Sequence, residues 1–282
     1  MKYPTSLIPY VLSILIPIGL VCSAWVVEEP LWMDGTQLNR YLKKHPESSL
    51  YQSRKAQAID MAGKVVVYSL HTANTAPSYH YAKAMLYDRE SHRIRHNGTV
   101  SLNDKEFTLG KKENVFWAAD RPLDAGPEEF DDHYAKEWFG TEVNIKIDDE
   151  FGRKEVERVV RIPALLNATF NMRKKGYLQA GDNIYWEKDE NISDLLLTIS
   201  YLPTNSTSVE DSPAHDRIFK VLKDSGSYTF SEEDIDFLYK CKEGELSLSL
   251  ERSYFTASRG ASSGRPYSMG GLHSVSQELE LR

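Results

Sequence analysis

What most constrains the fold of this chain is a change of hydrophobic period. Between Thr36 and Lys44, Leu38, Tyr41 and Leu42 follow helical spacing, and His45-Pro46 ends the pattern. From Lys64 onward the repeat falls to two, which a helix cannot use and a half-buried strand requires. Lys64 to Leu70 is continuous and β-branched, and Tyr79 to Tyr87 puts Tyr79, Tyr81, Met85 and Tyr87 on one face. Asn97-Gly98 reads as a hairpin turn before Thr99 to Leu102. Val143, Ile145 and Ile147 alternate with polar neighbours, Asp148 to Gly152 forms a polar turn, and Glu155 to Ile162 returns as the second strand of a hairpin. The stretch from Ala118 to Asp132, rich in Pro, Gly and acid, reads as a surface loop.

Seven further strand candidates follow a boundary near Arg161: Ile162 to Phe170, Tyr177 to Trp186, Leu195 to Tyr201, Ile218 to Leu222, Tyr228 to Phe230, Glu245 to Arg252 and Leu272 to Leu281. Short strands at this spacing suit a β-sandwich of about 100 residues. Leu246, Leu248 and Leu250 alternate with polar residues, as one buried face of a strand demands. Ser231 with Asp234 resembles a capping box that starts a helical turn over Glu232 to Leu238. The expected architecture is all-β. Residues 25–62 carry a short helix, 63–160 form an N-terminal antiparallel β-sandwich, and 161–282 form a second one of immunoglobulin-like type.

Residues 1–24 read as an export signal. Lys2 supplies a positive start, Leu7 to Val21 is apolar but shorter than the ~20 residues of a membrane span, and small residues follow. Two outcomes are open: cleavage after Ala24, or lipoprotein processing that removes 1–21 and leaves a lipidated Cys22. Loss of the leader removes Lys2 and no acid, so net charge moves from −7 to −8. A mildly acidic chain without a basic stripe is a poor partner for nucleic acid. Cys22 and Cys241 are the only cysteines, so a processed chain has no internal disulfide and must rely on its core. That scarcity favours a bacterial envelope protein over a secreted animal one.

Several strings resemble a known family. Gly181 to Trp186, Leu196 to Tyr201, Asp224 to Thr229, Leu248 to Arg252 and Ser274 to Ser276 look like the C-terminal half of uncharacterised envelope lipoproteins of the Bacteroidota with tandem immunoglobulin-like β-sandwiches. Asn97 to Asn103 looks like the matching strand of their N-terminal half. Such families usually carry a lipobox, from which Val21 departs. The resemblance implies a fold and an address, and no reaction.

The candidate chemistries weigh lightly. Gly260-Ala261-Ser262-Ser263-Gly264 matches G-x-S-x-G, but Arg265-Pro266 blocks the helix a nucleophile elbow needs, and no acid lies between Ser262 and His273. A zinc site drawn from His80, His92 and His96 is short of convergent ligands, and these residues read as solvated beside Arg89, Arg93 and Arg95. Asp148, Asp149 and Glu150, and separately Asp189, Asn191, Ser193 and Asp194, resemble calcium loops; the second has Asp194 and Ser200 where an EF-hand has Gly and Glu. Glu128, Glu129, Asp131, Asp132 and His133 crowd one loop without the set separation of a glycosidase pair. Asn97, Asn167, Asn191 and Asn205 are sequons, which carry glycans only in a secreted eukaryotic glycoprotein.

No catalytic residue, metal or cofactor is therefore expected. The expected function is an exported envelope protein of the outer membrane or extracellular space, non-enzymatic, either structural or a binding module for glycan or protein. Exposed aromatics, with Tyr79, His80 and Tyr81 in a run, are its remaining hint, and packing on half-buried strand faces is the stronger reading of such residues. A secreted polysaccharide hydrolase is the competing class, and facing carboxylates in a cleft are what would distinguish it.

Overall fold

Strands dominate the computed structural model, which describes residues 32–58, 61–73, 79–87, 94–95, 98–110, 115–118, 133–203, 217–236, 238 and 244–280. Helix α1 (Gly35–Lys44) lies where the sequence places it, and it opens on a capping box: Asp34 accepts from Gln37 N at 2.7 Å while the Gln37 side chain accepts from Asp34 N at 2.9 Å. A second helix, α2 (Ser49–Gln57), was not expected. Its polar residues hide a stripe of Leu50, Ser53 and Ala56 at helical spacing, and that stripe is what it buries. Short α3 (His133–Trp138) and α4 (Glu232–Ile235) complete the helices, and Ser231 and Asp234 form the anticipated box at α4.

The strands are β1 (Gly63–Thr72), β2 (Tyr79–Tyr87), β3 (Ile94–Arg95), β4 (Thr99–Leu102), β5 (Lys105–Gly110), β6 (Val115–Ala118), β7 (Glu142–Asp148), β8 (Lys154–Arg161), β9 (Thr169–Asn171), β10 (Asn183–Tyr185), β11 (Asp194–Pro203), β12 (Arg217–Lys223), β13 (Ser227–Thr229), β14 (Gly244–Arg259) and β15 (Pro266–Leu279). One sheet runs β12-β11-β14-β15-β1-β2-β6-β5-β4-β7-β8, with β3 beside β2; a small sheet runs β13-β10-β9.

The expected boundary near Arg161 is not a break in this ladder. β15 pairs in parallel with β1, from Gly63↔Tyr267 to Thr72↔Ser276, so the sheet is not purely antiparallel. The reason is length: β14 has 16 residues and β15 has 14, and at ~3.3 Å per residue such a hairpin spans about 50 Å, enough to serve both halves. At the far edge the sheet curls back until Ala261 N in the β14–β15 turn donates to the Glu155 carbonyl of β8 at 2.8 Å.

Two other expectations shift. Asn97-Gly98 does not join paired strands, since β3 pairs with β2 while β4 pairs with β5 and β7. The tight turn is Asn103-Asp104, both at positive φ (46° and 65°), the mirror-image geometry that a two-residue hairpin favours. Ile162 to Phe170 and Tyr177 to Trp186 become strand only at β9 and β10. The residues from Ile162 to Leu166 instead cross the inner face of the sheet as irregular chain.

That crossing divides the interior. One core holds Val65, Val67, Ala84, Leu86, Val100, Ile145, Ile147 and Met269 within the curled half. The other holds Leu195, Leu197, Ile199, Leu246, Leu248, Leu250 and Val275 from the large sheet, packed with Ile184, Trp186 and Phe230 beside the small one. Leu246, Leu248 and Leu250 all face inward, as their alternation requires. Gly271 lets the crossing segment approach, because a Cβ there would lie 2.6 Å from Ile162 Cγ2 and 2.9 Å from Pro163 Cδ.

Candidate functional site

A buried row of polar residues lies under the crossing segment. Ser69 is opposite His80 on one side and His273 on the other, and His273 is opposite Arg252, so four adjacent strands contribute one residue each. Irregular backbone inside a protein must find partners, and this row supplies them. Arg252, fully buried, donates to the carbonyls of Ala164 (3.0 Å), Leu165 (3.2 Å) and Glu187 (2.5 Å) and pairs with Asp224 at 2.8 Å. Asp224 also accepts from Trp186 Nε1 at 2.7 Å. Leu166 N donates to His273 Nδ1 at 2.6 Å, which leaves the ring proton on Nε2. Burial, with the nearby charge of Arg252, pushes the His273 imidazole down to about 3, so it stays neutral and can accept. Arg252 and His273 thus hold the crossing backbone, and that role is structural.

The outer face of the same strands carries a helix, a cleft and a group of aromatic and cationic side chains. Helix α2 lies on it, packing Ala56 against Val66 and Phe255. β11 pairs with β14 only as far as Leu196↔Glu251, and beyond that point Ser53 takes over the edge: its hydroxyl donates to Ser253 O (3.0 Å) and accepts from Phe255 N (3.1 Å). Beside this contact a cleft of about 440 Å³ opens, within the ~300–1,000 Å³ usual for ligand sites. Gln52, Lys55 and Glu47 line one wall, Asn191 and Ser193 a second, and Tyr254 to Ala257 the floor. Ser49 ties the walls together, accepting from Ser193 N and Asp194 N at 3.2 Å each. Glu47 is the single carboxylate of the lining among the described residues. A backbone hydrogen bond, with His45 beside it, holds its carboxyl below the usual range.

On the other side of α2, Tyr68 and Tyr81 stack at 4.9 Å with planes 24° apart. Lys83 Nζ lies 4.9 Å from the Tyr68 ring and 5.9 Å from that of Tyr81. Lys64 bonds Gln57 Oε1 at 3.1 Å and sits 5.3 Å over Phe255. Burial pushes the Tyr68 phenol up to about 12 and lowers the Lys64 ammonium, to which Lys83 adds by repulsion.

The sequence-predicted groups scatter. His80 is buried on β2, not solvated, because even-numbered residues of that strand face inward; His92 and His96 lie outside the described residues. Ser262 hydrogen-bonds Glu155 on β8, and its neighbour Ser263 donates to the same carboxylate at 3.0 Å, so the G-x-S-x-G loop is a tether to the far edge of the sheet. His273 cannot serve it, since Leu166 occupies its Nδ1. Asp189 accepts from Ala164 N, Asn191 N and Asn191 Nδ2; burial raises its carboxyl, but these bonds and Arg161 hold it low. Asp194 is taken by Ser193 and by Lys223 at 2.9 Å. Asp149 turns inward to Arg153 and to the N–H groups of Phe151 and Arg153, away from Asp148 and Glu150. Among the described residues, no three His, Cys, Asp or Glu converge as a metal set.

Cys22, Cys241, the acidic loop from Glu128 to Asp132, Asn97 and Asn205 lie outside the described residues. Asn167 takes positive φ and bonds Glu187, while Asn191 lines the cleft. Sequence reasoning missed the cleft because α2 was not foreseen, and it missed Lys64 and Lys83 because a lysine within an alternating strand reads as solvent face. The Tyr68–Tyr81 pairing depends on register, and period two alone does not supply that. The chain matches no protein-family model and no curated protein.

Proposed function

We propose that this protein is an exported, non-enzymatic binding module of the cell envelope that holds a neutral glycan in the cleft between α2 and β14. The observation that carries the reading is the lining itself: amides, hydroxyls and an aromatic floor in about 440 Å³, with one carboxylate where glycoside hydrolysis needs two. Export follows from the leader, with either a lipid on Cys22 anchoring the chain or cleavage after Ala24 releasing it. A C-terminal immunoglobulin-like sandwich is supported by the four strands β12-β11-β14-β15 and the three of β13-β10-β9, which share one core. An N-terminal sandwich is the companion reading for the curled half.

Titration calorimetry with chitotetraose and cellotetraose tests the function. Binding of at least one, lost in Gln52→Ala and Lys55→Ala at unchanged melting temperature, is the expected result; both side chains are exposed, so neither should disturb the fold. Failure of both sugars to bind ends the glycan assignment. Release of reducing ends that disappears in Glu47→Gln would make the protein a hydrolase instead.

A further inference from the structure

We infer that the cleft between α2 and β14 selects an N-acetylated sugar, whose acetamido group stands in for a missing strand beside Ala257 of β14; the inference rests on the neutral-glycan reading of the same cleft. Four consecutive residues, Tyr254 to Ala257, line its floor. Side chains along a strand alternate between faces, and Phe255 packs beneath α2 on the outer face. A floor that includes both parities is therefore the edge of the strand, backbone included. β11 has left that edge, since its pairing with β14 stops at Leu196↔Glu251, and Asn191 and Ser193, just before β11 begins at Asp194, form a wall of the cleft. The cleft thus stands where β11 would run if it began a few residues earlier.

Parity also tells which groups the edge offers. Ser53 takes Ser253 O and Phe255 N, so odd-numbered residues turn their backbone groups toward the cleft and even-numbered ones toward β15. The next odd residue is Ala257. Among the described residues no strand pairs with β14 on this side beyond Glu251, and Ala257 N has no backbone partner. A secondary amide suits the place: its carbonyl accepts from Ala257 N, and its N–H, pointing the opposite way, donates to the α2 wall. There Gln52 donates Nε2 to Pro46 O at 2.6 Å and keeps Oε1 to accept. Ala56 and Ala257, both in the lining, offer apolar contact to the acetyl methyl. A hydroxyl at the same ring position donates and accepts through a single atom and does not reproduce that spacing. A peptide strand fits less well. Ser53 holds Ser253 and Phe255, which leaves Ala257 and Arg259 before β14 ends, whereas strands run to ~3 residues or more. The walls, moreover, carry amides and hydroxyls rather than pockets for alternate side chains.

Calorimetry of the full chain with chitotetraose and cellotetraose, which differ on each ring in acetamido for hydroxyl, tests the selection. Chitotetraose should bind at least tenfold more tightly. In a chain carrying isotope-labelled alanine, the amide proton of Ala257 should move downfield with chitotetraose and stay in place with cellotetraose. Ala257→Pro removes the donor at an edge position where proline breaks no ladder bond, and at unchanged melting temperature it should weaken chitotetraose at least tenfold. Should that variant fail to fold, the labelled wild-type amide decides. Equal affinity for the two sugars overturns the selection and leaves the neutral-glycan reading standing, whereas binding of neither ends both. Chitotetraose binding that leaves the Ala257 amide unmoved, or acetyl-tetra-alanine amide binding as tightly, would overturn the selection as well.

Discussion

The two faces of strands β1, β2, β14 and β15 handle charge in opposite ways. Inward, Ser69, His80, His273 and Arg252 form a row in which Arg252 and His273 hold the backbone at Ala164 to Leu166 and at Glu187. Outward, on the opposite face of β1, β2 and β14, Tyr68, Tyr81, Lys83 and Glu251 meet rings and partial desolvation. Burial alone therefore does not mark a functional group in this molecule. What separates the faces is what the charged groups rest on: Arg252 of the inner row is committed to carbonyls and Asp224, and Lys64 and Lys83 of the outer face lie against aromatic rings.

That contrast breaks most readily at Arg252. Arg252→Ala leaves Asp224 charged and buried without its partner and strips three carbonyls of their donor, so it should cost about 3–5 kcal/mol in denaturant melts. Lys83→Gln on the outer face should cost about 0.5 kcal/mol or less. Comparable losses from the two would erase the distinction between the faces. The same logic of parity gives the next largest effect. Leu248→Ala opens a cavity in the second core at about 2–5 kcal/mol, while Ser249→Ala, pointing outward, should cost about 0.5 kcal/mol or less. If Ser249→Ala proved the damaging change, the register of β14 would be wrong by one residue.

The smallest effect sharpens the inner row. His273 has a folded value of about 3 against 6.5 when unfolded, so between those limits the unfolded chain binds more protons. Its contribution is fully present above pH 6.5 and is lost as pH falls toward 3, with a slope of up to about 1.4 kcal/mol per pH unit. His273→Asn retains an acceptor for Leu166 N but does not titrate. Its stability should vary less over that window, and parallel pH profiles for variant and wild type would show that His273 is not the buried neutral ring described.

Period two was enough to read the β class, and Val143 to Ile147, Leu195 to Tyr201 and Leu246 to Leu250 lie where alternation predicts. Local chemistry was equally legible at α4, where Ser231 and Asp234 are three residues apart and act within one turn. What escaped depends on distant pairing. Ile162 to Leu166 is apolar and strand-like in isolation, yet Arg252 and His273, over 80 residues away, make an irregular path cheaper than a ladder. Helix α2 escaped because Ser53, polar and uninformative in the string, is the residue that caps the open edge of β14. The cleft inherits both difficulties: its walls come from α2 and from the loop at Asn191, which are distant in the chain and are tied together at Ser49.

The parallel union of β1 with β15 sets a timetable for folding. Gly63 finds Tyr267 roughly 200 residues later, and β15 is the strand through which the two cores share a sheet. During synthesis at about 5–20 residues per second, β1 waits at least some ten seconds for that neighbour. Until then its second edge is an open template, and the ladder cannot close from either half alone. Pairings so distant along the chain are slow to form, so the polypeptide acquires its native rigidity only when the final hairpin arrives.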